Sequence, residues 1–424
     1  EAERIDREAG IDELVVAALI NQGFAHTTHG DREASTRLYA EAADMARQIW
    51  DTEKLKMALA NLDVEYKASG QHAEAIAALS EYIDLLGEED TDARARAFMS
   101  RGLSFVDTGA FEEAYKDLED AGDAAAENGD DTLICLVATN HGYAYSRNED
   151  PNAALFYYQK AVDLARTLES NEYLPNALMN LAQVNAITGI LAVADEQFAE
   201  LEDMYKDAER SNMLADILHW RGAVHRAMGQ RQEAVEEWRA EELIRRELGQ
   251  ELNLADCLLS QAEVLRRRGE RDAANPLFEE AAEIYERLGV TDVLVGTLDE
   301  YSLSLWAGNQ SAEALERIDK ALGLVTRETD AEVKIELMAR RALCLADTGD
   351  FDTANDVLDS AEGLARKIES QRLTIWMLAR RAYVFAREGR PAEDATEQFA
   401  QAPDYAPKPA EKANFAAAPR EATP

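Results

Sequence analysis

A chain of 424 residues has room for two or three globular domains, and its apolar residues, at 46%, are ample for a packed interior. The formal net charge of −39 argues against nucleic acid and anionic membranes as partners, because both select a basic surface. The sequence shows no signal peptide and no apolar run near the roughly 18 residues of a membrane span.

The cysteines indicate a reducing compartment. Cys135, Cys257 and Cys344 lie far apart in apolar helical contexts, and no CxxC spacing suggests a disulfide or a zinc site. We therefore predict three buried thiols in a cytoplasmic protein.

The first ten residues resemble a later stretch of the same chain. Residues 1–10, EAERIDREAG, match residues 240–249, AEELIRRELG, and Gly10 and Gly249 hold equivalent places. This match predicts that residues 1–10 are the end of a preceding repeat helix, with more sequence upstream. The alternative is a short capping helix.

A glycine recurs every 40 residues. The glycines on this register are Gly30, Gly70, Gly109, Gly189, Gly229, Gly269, Gly349 and Gly389, with Glu149 and Asn309 in the two gaps. A fixed period of this length indicates a repeat array whose units share one continuous core. We predict ten units over residues 11–400.

Each unit has the pattern of helix, tight turn, helix and loop. Apolar residues recur at helical spacing on both sides of the turn, where glycine takes a positive φ freely. The eighth residue of the first helix is small in nine of ten units, and Asp63 is the exception: Gly23, Gly102, Gly142, Ala182, Gly222, Ala262, Ser302, Ala342 and Ala382. We expect these small residues to let the two helices approach closely, with an alanine of the second helix facing them.

This spacing resembles the tetratricopeptide repeat, in its longer form of about 40 residues. The match is full in one unit, which carries Gly142, Tyr145, Ala154, Tyr158 and Ala161. The resemblance implies an all-α fold, a right-handed superhelical solenoid of helical hairpins that binds a protein or peptide. Units of this length occur in the bacterial signalling and kinesin-light-chain-like branches of the family.

Two segments depart from the repeat. The fourth unit lacks its turn glycine, but Asp150 followed by Pro151 is able to start a helix there. Residues 401–424 hold five of the nine prolines, which predicts a disordered Ala/Pro-rich tail.

The sixth position of the first helix is the main candidate for binding. It holds Asn21, Asn61, Ser100, Asn140, Asn180, Trp220, Ser260, Glu300, Arg340 and Arg380. The resemblance implies that this position faces a concave groove, where asparagine amides would bind the backbone of an extended peptide. The alternative is that these asparagines are tolerated on an exposed face, or bond within the hairpin.

The same register becomes aromatic and basic toward the C-terminus. Trp220 is a candidate clamp for the peptide, and Arg340 and Arg380 belong to a cluster that would hold an acidic segment or a free C-terminus. The other members of the cluster are Arg341, Arg381 and Arg387. The alternative is local pairing with acidic neighbours such as Glu336 and Asp347.

Enzyme chemistry finds little support in the sequence. The six histidines form no HExxH motif, and there is no glycine-rich phosphate loop and no GxSxG. We predict no catalytic residues, no metal and no cofactor.

These patterns predict a module that holds a peptide or protein segment in its groove. A second interpretation is the regulatory or sensor segment of a larger bacterial signalling or transcription-regulatory protein. A third is self-assembly, and the sequence leaves the oligomeric state open.

Overall fold

The computed structural model describes residues 2–170, 172–206, 211–326, 331–391 and Asp394, with the backbone alone for residues 2–10 and Gln371. Every regular element in these ranges is an α-helix, so the predicted all-α repeat fold is confirmed. The predicted tail at 401–424 lies outside the described residues. The helices fall into two compact units, Glu1–Met204, here called unit 1, and Tyr205–Pro424, here called unit 2.

Unit 1 contains five helical hairpins, each made of an odd-numbered first helix and an even-numbered second helix. Its helices are α1 (Ala2–Thr28), α2 (Arg32–Gln48), α3 (Thr52–Ala68), α4 (His72–Asp84), α5 (Thr91–Thr108), α6 (Phe111–Asn128), α7 (Asp131–Arg147), α8 (Pro151–Thr167), α9 (Leu174–Ile187) and α10 (Leu191–Tyr205).

Unit 2 continues the alternation with four hairpins and a further first helix. Its helices are α11 (Asn212–Ala227), α12 (Arg231–Leu248), α13 (Glu251–Arg267), α14 (Arg271–Leu288), α15 (Thr291–Ala307), α16 (Ser311–Leu324), α17 (Ala331–Thr348), α18 (Phe351–Lys367) and α19 (Gln371–Glu388). The residues expected to form the second helix of the tenth predicted repeat, which follows α19, lie mostly outside the described ranges.

The turn inside each hairpin requires a left-handed backbone. Gly70 has φ 70°, and Gln71 N–H then donates to the Tyr66 carbonyl at 2.8 Å, which closes the end of α3. In the two hairpins without the glycine, Glu149 and Asn309 take the same conformation at φ 57° and 60°. The repeat geometry therefore persists where the sequence motif is lost.

The start of α8 agrees with the sequence. The Asp150 side chain accepts a hydrogen bond from Ala153 N–H, and Pro151 occupies the first helical turn. A proline is tolerated there because its missing N–H would have no helical partner.

The N-terminal boundary predicted at residue 10 is not where a helix ends. Helix α1 runs without a break from Ala2 to Thr28, so Gly10 lies inside it. Gly249, its counterpart in the sequence match, ends α12 with φ 66°. Glycine permits either outcome, because it costs a helix interior only about 1 kcal/mol relative to alanine.

Large side chains of the second helix lie against the small residues of the first. A Cβ atom added at Gly142 would lie 2.6 Å from the ring of Tyr158, and one at Gly222 would lie 2.5 Å from Trp238 Nε1. Tyr158 therefore faces Gly142, and not the alanine that we expected. An alanine would leave a void, whereas a buried ring fills the space that glycine opens.

The rings of the second helices are among the most deeply buried side chains of each unit. Tyr39, Tyr158, Phe198, Trp238 and Phe278 are all at most 3% exposed. The three cysteines are buried free thiols, as the sequence predicted.

We predict that Gly142→Ala destabilises the protein by about 1–3 kcal/mol, because the added methyl group displaces the Tyr158 ring from a packed core. Gly142→Leu is expected to cost more. Chemical unfolding followed by circular dichroism measures both effects.

The matched control is Gly122→Ala in α6. A Cβ atom there would meet Val137 at an ordinary 3.6 Å, so this change should be neutral or stabilise by up to about 1 kcal/mol. An unchanged unfolding midpoint for Gly142→Ala would contradict the assigned packing.

Candidate ligand-binding surfaces

The first helices of neighbouring hairpins lie side by side. Within unit 1, α1 packs beside α3 and α5 beside α7, and within unit 2, α17 packs beside α19. The surface formed by the first helices is here called the first-helix surface of each unit.

The asparagines of unit 1 differ in their surroundings. Asn21 is exposed, whereas Asn61, Asn140 and Asn180 are half-buried. Asn61 Nδ2 donates to the Met57 carbonyl of its own helix at 2.7 Å. That bond uses one N–H group and leaves the second N–H group and the amide oxygen of Asn61 for a ligand. The amide ladder stays a prediction.

A polar cluster joins α3 and α5 where the asparagine series is interrupted. Ser100 Oγ donates to Asp63 Oδ2 at 2.9 Å, and Lys67 Nζ lies 2.9 Å from the same oxygen. Asp63 is the one residue that departs from the small-residue rule. The structure gives it a partner on the next hairpin, which the sequence alone did not indicate.

Trp220 lies half-buried beside a charged network in unit 2. Its ring meets His219 edge to face at 6.5 Å, and His219 Nδ1 lies 3.2 Å from Glu241 Oε2. Glu241 in turn binds Arg245, and both are almost fully buried. The hydrogen bond to Glu241 raises the pKa of His219 above its ordinary value.

Most arginines of the predicted basic cluster are paired. Arg340 contacts Asp299 of the preceding first helix. The other three ion pairs are Arg341 with Asp319 at 2.6 Å, Arg381 with Asp359 at 2.6 Å, and Arg387 with Asp347 at 2.7 Å. Ion pairing, which the sequence left open as the alternative, therefore engages these four side chains, and of the two neighbours named from the sequence only Asp347 is a partner, of Arg387.

Arg380 is different. Its guanidinium lies 4.4 Å from the ring centroid of Trp376, and its Nε is buried without a hydrogen-bond acceptor among the described residues. Burial and the positive charge of Arg340 lower its pKa. Arg380 is thus a largely buried cation that stacks on an indole ring.

Arg340 and Arg380 line one cavity of about 440 Å³. Its walls come from α15, α16, α17 and α19 and consist of Ser302, Leu303, Trp306, Ile318, Arg340, Leu343, Cys344, Trp376, Ala379 and Arg380. The sequence singled out the two arginines but missed both tryptophans, because they occupy different registers of the repeat and leave no periodic signal.

A larger and shallower depression occurs in unit 1. It has a volume of about 780 Å³ and lies on α8, α9 and α10 beside the exposed side chains of Phe156, Ile190 and Val193. It therefore belongs mainly to the second helices, and it contains none of the predicted binding residues.

The described residues contain no helix that is long and apolar enough to cross a membrane. In the same part of the chain, no group of three or more His, Cys, Asp and Glu side chains is arranged to hold a metal ion.

Two tetratricopeptide-repeat family models match the chain, one at residues 137–168 and the other at residues 254–288. These stretches coincide with the hairpins α7–α8 and α13–α14. The chain therefore carries tetratricopeptide repeats in these two hairpins, and repeats of this class support protein–protein interaction.

Similar proteins come from several sources. The 43 kDa receptor-associated protein of the synapse from Tetronarce californica is 25% identical over 334 residues, which are 76% of this chain and 69% of that protein. A signal transduction ATPase with a tetratricopeptide repeat sensor from Pyrococcus horikoshii is similar in structure, with a TM-score of 0.58 and 13% identity over 82% of this chain and 54% of that one. The quorum sensor NprR from B. thuringiensis has a TM-score of 0.49 and 16% identity over 82% of this chain and 98% of that one.

We predict that His219 makes unfolding depend on pH. Because its pKa is raised in the folded state, the stabilisation is complete below the unfolded pKa of about 6.5 and is lost as the pH rises through the folded pKa. The unfolding midpoint of wild type should therefore fall more steeply above about pH 6.5 than that of His219→Gln.

The control for this comparison is His29→Gln, which removes an exposed histidine from unit 1. It should keep the wild-type pH dependence. Parallel pH profiles for wild type and His219→Gln would show that Glu241 does not bind the protonated imidazole.

Proposed function

We propose that the chain is an interaction module that holds an extended protein or peptide segment against its first-helix surfaces. The observation that supports the proposal is the side-by-side packing of first helices within each unit, where their sixth-position side chains would share a surface. The tetratricopeptide-repeat matches support the protein-interaction class, and so does a relative whose name describes it as receptor-associated.

In unit 1, the amides of Asn21, Asn61, Asn140 and Asn180 would bind the backbone of the segment. An amide offers a donor and an acceptor, so it pairs with a peptide group whatever side chain that residue carries. Such contacts give affinity without fixing the ligand sequence.

In unit 2, side-chain selection would come from Trp220, Arg340 and Arg380. Trp220 would offer a ring face, and Arg380 would offer planar donors that match a carboxylate, whereas Arg340 would exchange its pairing with Asp299 for the ligand. The net charge of −39 favours a partner that is basic overall, so we expect the acidic feature of the ligand to be local.

A second candidate function is the sensor segment of a larger signalling protein. The observation that favours it is the fold similarity to the Pyrococcus horikoshii ATPase, whose description includes a tetratricopeptide repeat sensor. In that case the same surfaces would bind a ligand whose presence is passed to an effector domain.

The test uses peptides selected on the full chain from a random phage-displayed library. We expect Asn61→Ala/Asn140→Ala/Asn180→Ala to weaken the binding of the selected peptides at least about tenfold, a loss of 1.4 kcal/mol or more. The unfolding midpoint should stay close to wild type, because none of the three side chains lies in the core. Isothermal titration calorimetry and thermal unfolding give the two readouts.

Asn152→Ala is the matched control, since it removes an exposed amide from α8, the second helix of the hairpin that carries Asn140. It should bind like wild type. Equal affinities for the triple variant and wild type would exclude the amide ladder.

A further inference from the structure

The cavity around Arg380 has the features of a small-molecule site. Its volume of about 440 Å³ lies within the range of roughly 300–1,000 Å³ that is typical of ligand pockets. Leu303, Leu343 and two tryptophan side chains supply apolar wall, and the guanidinium groups supply a small number of polar contacts. This combination binds a ligand that is apolar over most of its surface and charged at one end.

The walls of the cavity are held in place from outside. Trp306 Nε1 donates to Asp347 Oδ2 at 2.7 Å, and Tyr383 Oη donates to the other oxygen of the same carboxylate at 2.8 Å. These bonds join α15, α17 and α19. A pocket whose aromatic wall is already fixed loses little side-chain entropy when a ligand enters.

The charged residues that line the cavity indicate that its ligand is an anion. Among the described residues, Arg380 has no carboxylate partner, although the chain has 83 acidic residues against 44 lysines and arginines. The ion pair of Arg340 with Asp299 leaves Arg380 as the uncompensated positive charge. Burying a charge without a partner is unfavourable, and a bound anion would recover that free energy.

The same walls select the type of anion. A phosphate dianion would lose its hydration to a largely apolar surface with one uncommitted guanidinium. A carboxylate carries a single charge and accepts two parallel hydrogen bonds from one guanidinium. A flat ring attached to it would contact Trp306 and Trp376.

We propose that this cavity binds a small organic carboxylate with a flat apolar body, and that Arg380 pairs with its carboxylate. The site would act as a small-molecule binding site in unit 2 and would replace the segment contact proposed above for Arg340 and Arg380. It does not depend on the binding of a protein segment along the asparagines of unit 1.

The probes are indole-3-acetate and its uncharged amide, indole-3-acetamide, titrated into the full chain by isothermal titration calorimetry. We expect the acid to bind at least about tenfold tighter than the amide. Equal affinities, or no heat from either compound, would overturn the proposal.

Two arginine variants locate the binding site. Arg380→Gln should weaken binding of the acid at least about tenfold and leave binding of the amide unchanged, because only the acid needs the charge. Arg341→Gln is the control, because Arg341 is next to Arg340 in the chain but pairs with Asp319 and does not line the cavity. An acid affinity that falls equally in both variants, or in neither, would place binding elsewhere.

A pair of peptides tests whether the bound carboxylate belongs to a small molecule or to the end of a protein chain. Gly-Gly-Trp with a free carboxyl end is compared with the same peptide amidated at that end. If the free-ended peptide binds and indole-3-acetate does not, the small-molecule assignment is overturned, and the cavity instead binds the C-terminal carboxylate of a protein chain. Tighter binding of indole-3-acetate than of either peptide supports it.

Discussion

The close contact between a small residue of the first helix and a large apolar side chain of the second, a ring at Gly142 and Gly222 and a leucine at Gly102, is the constraint on which the rest of the structure depends. At Gly142 and Gly222 there is no room for a Cβ atom, because Tyr158 and Trp238 occupy that space. In these two hairpins the ring of the second helix therefore packs directly against the backbone of the first helix. This contact restricts how the two helices of such a hairpin pack, and with it the position of the first helix.

Much of this fold was predictable because its determinants are local. The turn glycines and the helix start at Asp150 each depend on residues a few positions apart. The 40-residue period repeats these local patterns along the chain. The turn at Glu149 shows how strongly the repeat dictates conformation, since a glutamate there adopts a left-handed backbone that it would otherwise avoid. The partner of Gly142 was not predictable, because periodicity identifies equivalent residues and says nothing about which of them touch.

The candidate sites were harder to predict, since they depend on residues from different hairpins. The sequence suggested nearby acidic partners for the arginines, yet Arg340 pairs with Asp299, which lies 41 positions earlier in the chain. The cavity joins Trp306 and Trp376, which occupy unrelated positions of the repeat. A repeat pattern averages over all the predicted repeats, so it does not reveal a site that a single repeat has acquired by substitution.

Salt-sensitive contacts also join the second helices of neighbouring hairpins. Exposed ion pairs join residues 34 positions apart on consecutive second helices, as in Arg47 with Glu81, Arg166 with Glu200 and Arg246 with Glu280. Each is worth only about 0.2–1 kcal/mol, and dissolved salt screens it. Because these pairs link hairpins, added salt weakens part of the coupling between neighbours, while the apolar contacts that also join them, such as Phe278 with Tyr301, are not screened. Within a unit, added salt would therefore lower the cooperativity between neighbouring hairpins by a small step for each pair, while the shared apolar core keeps them coupled.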